Sequence, residues 1–262
     1  KIEFLFSAME VKMARIVIDA GHGGRDLGAA YNGRQEKDDN LDLAVAVGQI
    51  LKNNGYDVVY TRNSDVYDSP ARKAEIANEA GGDFFVSFHR NSAATPGLYD
   101  GVQTLIYDNS GIKAELAQKI SDNLEKVGFK NLGVDVRPDL AVLRRTKMPA
   151  VLIETGFINS DKDNELFDQR FNQIAEEIAL AIMDTVSLTK GQQYYVQTGL
   201  FRNQDYAGEL ANQLWYMGYP AQTGRYKQYY QVKVGPYYSL KQAAESERKL
   251  RNDGFSTLII QE

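Results

Sequence analysis

The feature that most constrains this chain is a buried strand that runs directly into a glycine turn carrying a histidine. The mostly apolar run Ile16–Ala20 leads into Gly21–Gly24, a turn made of three glycines and His22. An apolar run bounded by glycine is typical of a strand that is buried on both faces of a parallel sheet. In open α/β sheets, ligands bind just beyond the carboxyl ends of such strands. The sequence therefore predicts that His22 lies at the functional edge of an α/β sheet.

The second histidine repeats this arrangement, and the chain has only 2 histidines. The mostly apolar run Asp83–Phe88 is followed directly by His89–Ser92. A lone histidine in a turn is more often a structural hydrogen-bonding residue than a metal ligand. Two histidines at equivalent strand ends reverse that expectation, and we predict that they share one site. Asn91 is expected to orient the loop that carries His89.

Strand and helix patterns alternate through the first two thirds of the chain. Apolar runs predict strands at 16–20, 56–61, 83–88, 102–107, 140–143 and 150–156. Apolar residues at helical spacing predict helices at 40–51, capped by Asn40, and at 70–80, 112–127 and 171–186. This alternation favours an α/β domain, with a mostly parallel sheet and helices on both faces, over residues 14–187.

Composition excludes several chemistries. The chain has no cysteine, which excludes disulfides, thiolate catalysis and cysteine-ligated zinc, so that any metal must be held by nitrogen and oxygen. No stretch approaches the roughly 18 apolar residues of a membrane span. With 25% charged residues, we expect a soluble globular protein without a membrane partner.

The amino-terminal segment 1–12 does not match a signal peptide, because it is short and carries Glu3 and Glu10 beside its apolar residues. Met13 immediately precedes the first predicted strand and is a plausible natural start. The sequence leaves open whether residues 1–12 are native. On this interpretation the protein is made in the cytoplasm and is released later to act on its substrate.

The last third of the chain has a different composition and contains an internal repeat. From Lys190 onward there are 9 Lys or Arg and 6 Asp or Glu, a net of +3, whereas the whole chain has a net charge of -5. Six positions recur at an offset of 36 residues, namely Tyr194, Val196, Gly199, Ala207, Leu214 and Gly218. Each copy predicts a strand, a helix and a strand, so residues 194–262 are expected to form a small α+β split βαβ domain, joined through a connection at 188–193.

Alternation along the strands of this second domain separates two faces. Val196 and Val232 are expected to face the helices. The neighbouring positions then face away from the helices and form a candidate binding surface of Tyr195, Gln197, Gln231 and Lys233.

A metal site that keeps a position open for water typically takes three protein ligands, including imidazole and carboxylate. His22 and His89 supply two ligands. The carboxylates that could supply the third are Asp26, Glu36, Asp38 and Asp39. We favour Glu36, which precedes the helix that returns along the sheet, although a solvated loop carboxylate is the ordinary interpretation of this residue. Asp26 is close enough to His22 to act as a turn residue instead.

Glu154 ends an apolar strand on the same predicted edge. A carboxylate inside an otherwise apolar run is unusual and calls for a structural or functional explanation. A glutamate beside a metal-bound water can take a proton and pass it to a leaving amine. A phosphate-binding glycine loop is the alternative for Gly21–Gly24, but the Lys-Ser/Thr pair of a P-loop is missing.

The combined motifs resemble the zinc-dependent N-acetylmuramoyl-L-alanine amidases of bacterial cell-wall lysis over residues 14–187. The segments that carry the resemblance are Ile18–Gly24, Gly28–Ala29, Glu36, Asn40–Leu41, Thr61–Arg62, Ser87–Ser92 and Met148–Phe157. The resemblance implies that His22, Glu36 and His89 bind one Zn²⁺ ion. It also implies that Glu154 is the catalytic glutamate.

Residues 194–262 resemble a SPOR domain, through Tyr194–Gly199, Tyr230–Tyr237 and the repeat. The resemblance implies binding to peptidoglycan glycan strands, with Gln197 at a matching position on the binding face. An amidase followed by such a domain resembles sporulation-stage lytic enzymes and some phage endolysins.

The predicted function is therefore zinc-dependent hydrolysis of the amide bond between N-acetylmuramic acid and L-alanine in peptidoglycan. Two alternatives stay open: a wall-binding zinc peptidase that cuts stem peptides, and a catalytically silent wall-binding protein. A nucleic-acid partner for the tail is disfavoured, because its net charge of +3 is small and it lacks a basic aromatic signature. The oligomeric state, the preferred wall chemotype, and the choice between a phage and a sporulation or autolysis enzyme are left open by the sequence.

Overall fold

A computed structural model describes residues 13–186, 193–237 and 240–261. The chain divides into two compact units, one of Met13–Thr185 and one that contains the described residues from Val186 onward. The predicted connection at 188–193 lies outside the described residues, apart from Gln193.

The first unit is built on a six-stranded sheet. Its elements in chain order are β1 Arg15–Ala20, β2 Ala30–Tyr31, β3 Arg34–Gln35, α1 Glu36–Asn53, β4 Asp57–Tyr60, α2 Pro70–Ala80, β5 Phe84–Asn91, β6 Val102–Ile106, α3 Gly111–Val127, β7 Asn131–Val136, α4 Ala141–Arg145, β8 Ala150–Phe157, α5 Asp161–Gln169 and α6 Phe171–Thr185. The strand order is β4-β1-β5-β8-β6-β7, and the pairing is parallel except between β6 and β8. The predicted mostly parallel sheet is confirmed.

Helices cover both faces of this sheet, as predicted. On one face, α2 and α4 pack on a buried cluster that includes Val17, Phe85 and Leu152. The intervening strand residues, such as Ile16 and Ile18, are fully buried on the opposite face, where α1, α3 and α6 pack together. Because β1 and β5 are neighbours and parallel, their carboxyl ends meet at one edge of the sheet.

Local sequence signals explain where several elements begin and end. The α2 helix begins after Ser69, whose side chain accepts a hydrogen bond from the Arg72 N–H, and Pro70 occupies its first turn. It ends at Gly81, which adopts the left-handed conformation that glycine tolerates best. The predicted bounds of this helix are those observed.

Other local predictions were wrong. The α1 helix begins at Glu36, four residues before the predicted cap at Asn40, because acidic residues fill its first turn and favour the positive end of the helix dipole. The predicted strand at 140–143 is instead the short helix α4, whose Val142 and Leu143 pack in the same cluster as α2. The elements β7 and α5 were not predicted, because both are only partly buried and lack a continuous apolar pattern.

The second unit has the predicted split βαβ topology. Its elements are β9 Tyr194–Phe201, α7 Gln204–Tyr216, β10 Ala221–Tyr226, β11 Tyr229–Tyr237, α8 Leu240–Asn252 and β12 Leu258–Gln261. They form a fully antiparallel sheet in the order β10-β11-β9-β12. Repeat-related positions are buried together in its core, as in the pairs Val196 with Val232 and Leu214 with Leu250. Among the described residues, none of the helices combines the length and hydropathy needed to cross a membrane.

Candidate metal centre

The fold brings the two histidines and Glu36 to one edge of the first unit. His22 follows β1 directly, and His89 lies near the end of the adjacent strand β5. Glu36 is the first residue of α1. The three side chains form a cluster in which one potential ligand atom from each lies within 4.8 Å of the others. The predicted ligand set is therefore assembled in space, although its members are scattered along the sequence.

The carboxylate of Glu36 lies between the two imidazoles. Its Oε1 atom is 3.1 Å from His22 Nε2 and 2.9 Å from His89 Nδ1. Glu36 is only 4% exposed, whereas the side chains of His22 and His89 retain 25% and 19% exposure. The carboxylate of Glu36 thus lies on the buried side of the site, and the two imidazoles lie on the side that is accessible to solvent.

Neighbouring groups fix the orientation of these side chains. Asp26 Oδ2 lies 2.9 Å from His22 Nδ1, so that the Nε2 atom is left to face Glu36. The Ala29 N–H donates to Glu36 Oε2 over 2.9 Å, and the Arg90 N–H donates to Oε1 over 3.2 Å. Asp26 therefore supports His22 as a turn residue.

Asn40, which was predicted to be a helix cap, has a different place. It is buried one turn into α1, and its Nδ2 atom lies 3.3 Å from Glu36 Oε1 and 3.4 Å from the Gly21 carbonyl oxygen. The side chain therefore connects the carboxylate of the site to the turn that precedes His22. The spacing of four residues between Glu36 and Asn40 within one helix could have indicated this contact.

The electrostatics of the cluster favour a bound cation. Burial opposes ionisation of Glu36, but hydrogen bonds and charge interactions with His22 and His89 hold its pKa far below the usual range. Burial likewise opposes protonation of His22, but Glu36 and Asp26 outweigh it and raise its pKa to about 9. The His22 imidazole is thus drawn toward positive charge, which a proton or a metal ion can supply.

Glu154 lies in β8, in register with His89 on the adjacent parallel strand. It lies outside the compact three-residue cluster. Its Oε2 atom is buried and has no hydrogen-bond partner among the described residues. Burial raises the pKa of this carboxyl group, against the opposing effect of His89. A carboxyl group in this state is suited to accept and release a proton.

The residues that follow His89 shape the strand end in different ways. The side chain of Asn91 accepts a hydrogen bond from the Ser92 N–H. Its predicted role in orienting the loop that carries His89 stays a prediction. The guanidinium of Arg90 is buried, donates to Asp39 and lies 4.3 Å from the centre of the Phe167 ring. Asp39 is thereby accounted for as a structural partner of Arg90.

Glycine at two positions makes room for the site. A Cβ atom on Gly21 would lie 2.4 Å from the His89 ring. A Cβ atom on Gly28, whose φ is +66°, would lie 2.5 Å from Glu36 Oε2 and 2.7 Å from His22 Cδ2. All three distances are shorter than van der Waals contact, so any side chain at these positions would displace the predicted ligands.

The predicted binding face of the second unit contains two contacting pairs. Gln231 Nε2 donates to Gln197 Oε1 over 2.7 Å, and the Lys233 ammonium lies 3.9 Å from the centre of the Tyr195 ring. The four side chains alternate with core valines, as predicted, but Tyr195 and Gln231 are only 7% and 4% exposed. The exposed part of this face is therefore smaller than the alternation predicted.

The donor set fits a metal ion. In a tetrahedral zinc site with bonds of about 2.0–2.1 Å, neighbouring ligand atoms lie about 3.3 Å apart, close to the separations of Glu36 Oε1 from the two imidazole nitrogens. Three ligands with one side open to solvent are typical of catalytic sites. Fold and site together define an α/β domain with a mostly parallel sheet and a candidate mononuclear metal centre at the carboxyl ends of its strands.

Comparison with known proteins supplies the family. Residues 16–184 match the family model described as N-acetylmuramoyl-L-alanine amidase, and residues 190–261 match the SPOR domain model. The chain belongs to the N-acetylmuramoyl-L-alanine amidase family, whose members are generally zinc-dependent, and it carries a SPOR domain. It is a peptidoglycan amidase with a cell-wall-binding domain, and it acts on the cell wall.

Individual relatives agree with this assignment. The chain is 40% identical over 189 residues to an endolysin of Bacillus phage SPP1, covering 68% of each protein. It is 36% identical over 209 residues to a sporulation-specific N-acetylmuramoyl-L-alanine amidase of Bacillus subtilis, covering 76% of this chain and 80% of the relative. The solved structure of the N-acetylmuramoyl-L-alanine amidase AmiC2 of Nostoc punctiforme aligns with a TM-score of 0.61 at 34% identity, covering 65% of this chain and 95% of that one.

The space left by Gly28 leads to a first prediction. We expect Gly28→Ala to weaken zinc binding by about tenfold or more, because the new Cβ must displace Glu36 or His22. Gly33→Ala is the matched control, since Gly33 also has a positive φ of +84° but a Cβ atom there would meet no heavy atom within 4 Å. Zinc affinity is measured by competition with a chelator. Equal zinc affinities for the two variants would show that the absence of a side chain at position 28 is not required for the ligands to bind zinc.

Proposed function

We propose that the protein hydrolyses the amide bond between N-acetylmuramic acid and L-alanine by means of one zinc ion held by His22, Glu36 and His89. The observation that carries this proposal is the buried carboxylate of Glu36, bracketed by two imidazoles that are still reached by solvent. A zinc ion at this position would polarise the scissile carbonyl and bring the pKa of a bound water toward neutrality.

Glu154 is the residue that moves the proton. It lies beside His89 on the neighbouring strand, and its pKa is raised by burial. Its carboxylate takes a proton from the attacking water and delivers it to the nitrogen of L-alanine as the carbon–nitrogen bond breaks. Water thus contributes a hydroxyl group to the lactyl carbonyl carbon and a proton to the released amine, and Glu154 returns to its starting state.

Other residues of the chain hold this arrangement in place. Asp26 keeps His22 in the orientation that directs Nε2 inward. The Ala29 and Arg90 N–H groups and Asn40 bind the two oxygens of Glu36. Restricting the rotation of these ligands lowers the cost of assembling the site around a cation.

We assign catalysis to residues 14–187 and wall binding to residues 194–262, with 188–193 as the connection. A module that holds the enzyme on an insoluble substrate raises the effective substrate concentration at the active site. Gln197, Gln231, Tyr195 and Lys233 are the residues we assign to contact glycan. Tyr107–Arg137 contains one helix, α3, and one short strand, β7, so we expect the metal site to stay open to the wall.

The zinc requirement and the bond that is cut can be tested together. We expect the purified protein to contain about one zinc per chain, to lose activity on purified walls when zinc is chelated, and to regain it with zinc. Mass spectrometry of the products should find new amino groups on L-alanine. New ends within the stem peptide would identify a peptidase, and the absence of any product would identify a silent wall-binding protein.

The role of Glu154 makes a separate prediction. Glu154→Gln keeps the shape of the side chain but removes its basicity, so we expect kcat to fall by about 10²–10⁴-fold with zinc content unchanged. Glu115→Gln is the control, because burial also raises the pKa of Glu115 on α3, outside the site. Wall digestion at an undiminished rate by Glu154→Gln would remove this residue from the mechanism.

The binding face can be tested in full-length protein that carries Glu154→Gln, so that the wall stays intact. We expect Gln197→Ala to weaken binding to purified walls by about two- to tenfold, the equivalent of one net hydrogen bond. Gln213→Ala is the control, because Gln213 is an exposed amide on α7, on the helical side of the same unit. If both variants bind as tightly as the parent, the face of Gln197 is not the contact surface.

A further inference from the structure

The turn that carries His22 adopts a backbone conformation that requires support. His22 itself has a φ of +60°, and the following Gly23 and Gly24 have φ values of +134° and +55°. A left-handed conformation costs a non-glycine residue free energy, and it persists only where the surroundings hold it. The source of that support is therefore a question that bears directly on the metal site.

Lys73 of α2 supplies part of the support. Its ammonium is buried and donates to the carbonyl oxygen of Ala20 and, over 3.2 Å, to the carbonyl oxygen of His22. These two carbonyl groups lie before and after the peptide bond that joins Gly21 to His22. A single buried ammonium thus binds the backbone of the turn at two points, one of them the carbonyl of His22 itself.

Arg62, which follows β4, supplies a second support. Its guanidinium is buried, with Nε 3.0 Å from the Ala20 carbonyl oxygen and Nη2 2.9 Å from that of Gly21. The same Nη2 donates to the Lys37 carbonyl oxygen over 2.8 Å. Lys37 is the neighbour of Glu36 in the first turn of α1, so one guanidinium connects the backbone beside two of the proposed metal ligands.

Asp19 balances the charge of this arrangement. Its fully buried carboxylate lies 3.1 Å from the Lys73 ammonium and accepts hydrogen bonds from Thr61 Oγ1 and, over 2.6 Å, from Ser87 Oγ. Ser87 precedes His89 on β5 by two residues. The carboxylate of Asp19 therefore allows a lysine to be buried here, and it also ties the strand of His22 to the strand of His89.

We infer that Lys73 and Arg62, with Asp19 as the counter-charge of Lys73, are positioning residues that hold the His22 turn in its metal-binding conformation. The inference rests on the proposed zinc site and adds to it a set of residues that do not touch the ion. Their cations bind carbonyl oxygens of Ala20, Gly21 and His22, and they thereby set where the imidazole of His22 points before zinc arrives.

The test measures zinc affinity of folded protein rather than activity. Lys73→Met combined with Asp19→Asn removes both buried charges together, so that no uncompensated charge is left inside. Arg62→Lys keeps the charge but loses the fork that spans Gly21 and Lys37. We expect both proteins to bind zinc about tenfold or more weakly than the parent protein, by analogy with the loss of groups that orient metal ligands.

A control separates positioning from a general loss of stability. Leu124→Ala truncates a fully buried side chain in α3, which packs on α6, β6 and β7, and should lower the thermal midpoint without changing zinc affinity by more than about twofold. All affinities are measured by chelator competition at a temperature where circular dichroism shows each protein to be folded.

The outcomes distinguish this inference from the proposed function. If the folded Lys73→Met/Asp19→Asn and Arg62→Lys proteins bind zinc as tightly as the parent, the positioning role is wrong while the zinc site stands. If the double variant does not fold, the Arg62→Lys protein decides the question alone. If the parent protein itself binds no zinc, the proposed function fails, and this inference fails with it.

Discussion

The contact on which the rest of this structure depends is the one between the carboxylate of Glu36 and two imidazoles. Burying a carboxylate is costly unless it is paired and hydrogen-bonded, and Glu36 is both. Its partners come from the turn after β1, the strand β5, the backbone before α1, and Asn40 within α1 itself. The adjacency of β1 and β5 in the sheet and the start of α1 at Glu36 are thus both conditions for one buried charge to be satisfied.

The rigid sheet holds the groups of this contact in fixed positions. Both faces of β1 and β5 are buried over most of their length, so that the strand ends cannot shift without disrupting close-packed cores on either side. The turn at His22 projects from this fixed base and is strained. The buried side chains of Arg62 and Lys73 bind backbone carbonyl oxygens of this turn from the interior of the domain. The imidazole of His22, on the other side of the turn backbone, stays accessible to solvent. The structure therefore separates the part of the site that must be fixed from the part that must meet a ligand.

The sequence predicts most of the sheet because buried parallel strands leave a strong apolar signature. The positions of His22 and His89 follow from that signature, since each histidine stands where an apolar run ends. Glu36 was preferred to the nearby aspartates because it precedes the helix that returns along the sheet, and the motif resemblance implied the same residue. The helix α4 was mistaken for a strand because four apolar residues in a row are compatible with either element.

What the sequence could not predict are contacts between side chains that look ordinary in isolation. Lys73 occurs in a helix rich in charged residues and resembles a solvent-facing lysine, yet it is buried against Asp19. Alternation correctly assigned Tyr195 and Gln231 to the face away from the core valines, but it carries no information on how far that face is covered. Periodicity indicates direction, and burial depends on neighbours that are distant in sequence.

The buried oxygen of Glu154 is best understood through what it lacks. An unpaired buried polar atom destabilises a fold, and each such atom in a native protein calls for a reason. Among the described residues, Thr155 and Thr185 also bury a hydroxyl oxygen without a partner, but a neutral hydroxyl loses less on desolvation than a carboxylate does. The fold therefore bears the largest of these costs at the one position that lies in register with His89. A carboxylate with one buried oxygen that accepts no hydrogen bond from the described residues keeps its affinity for a proton, and the amide hydrolysis proposed for this domain requires that property beside the proposed metal site.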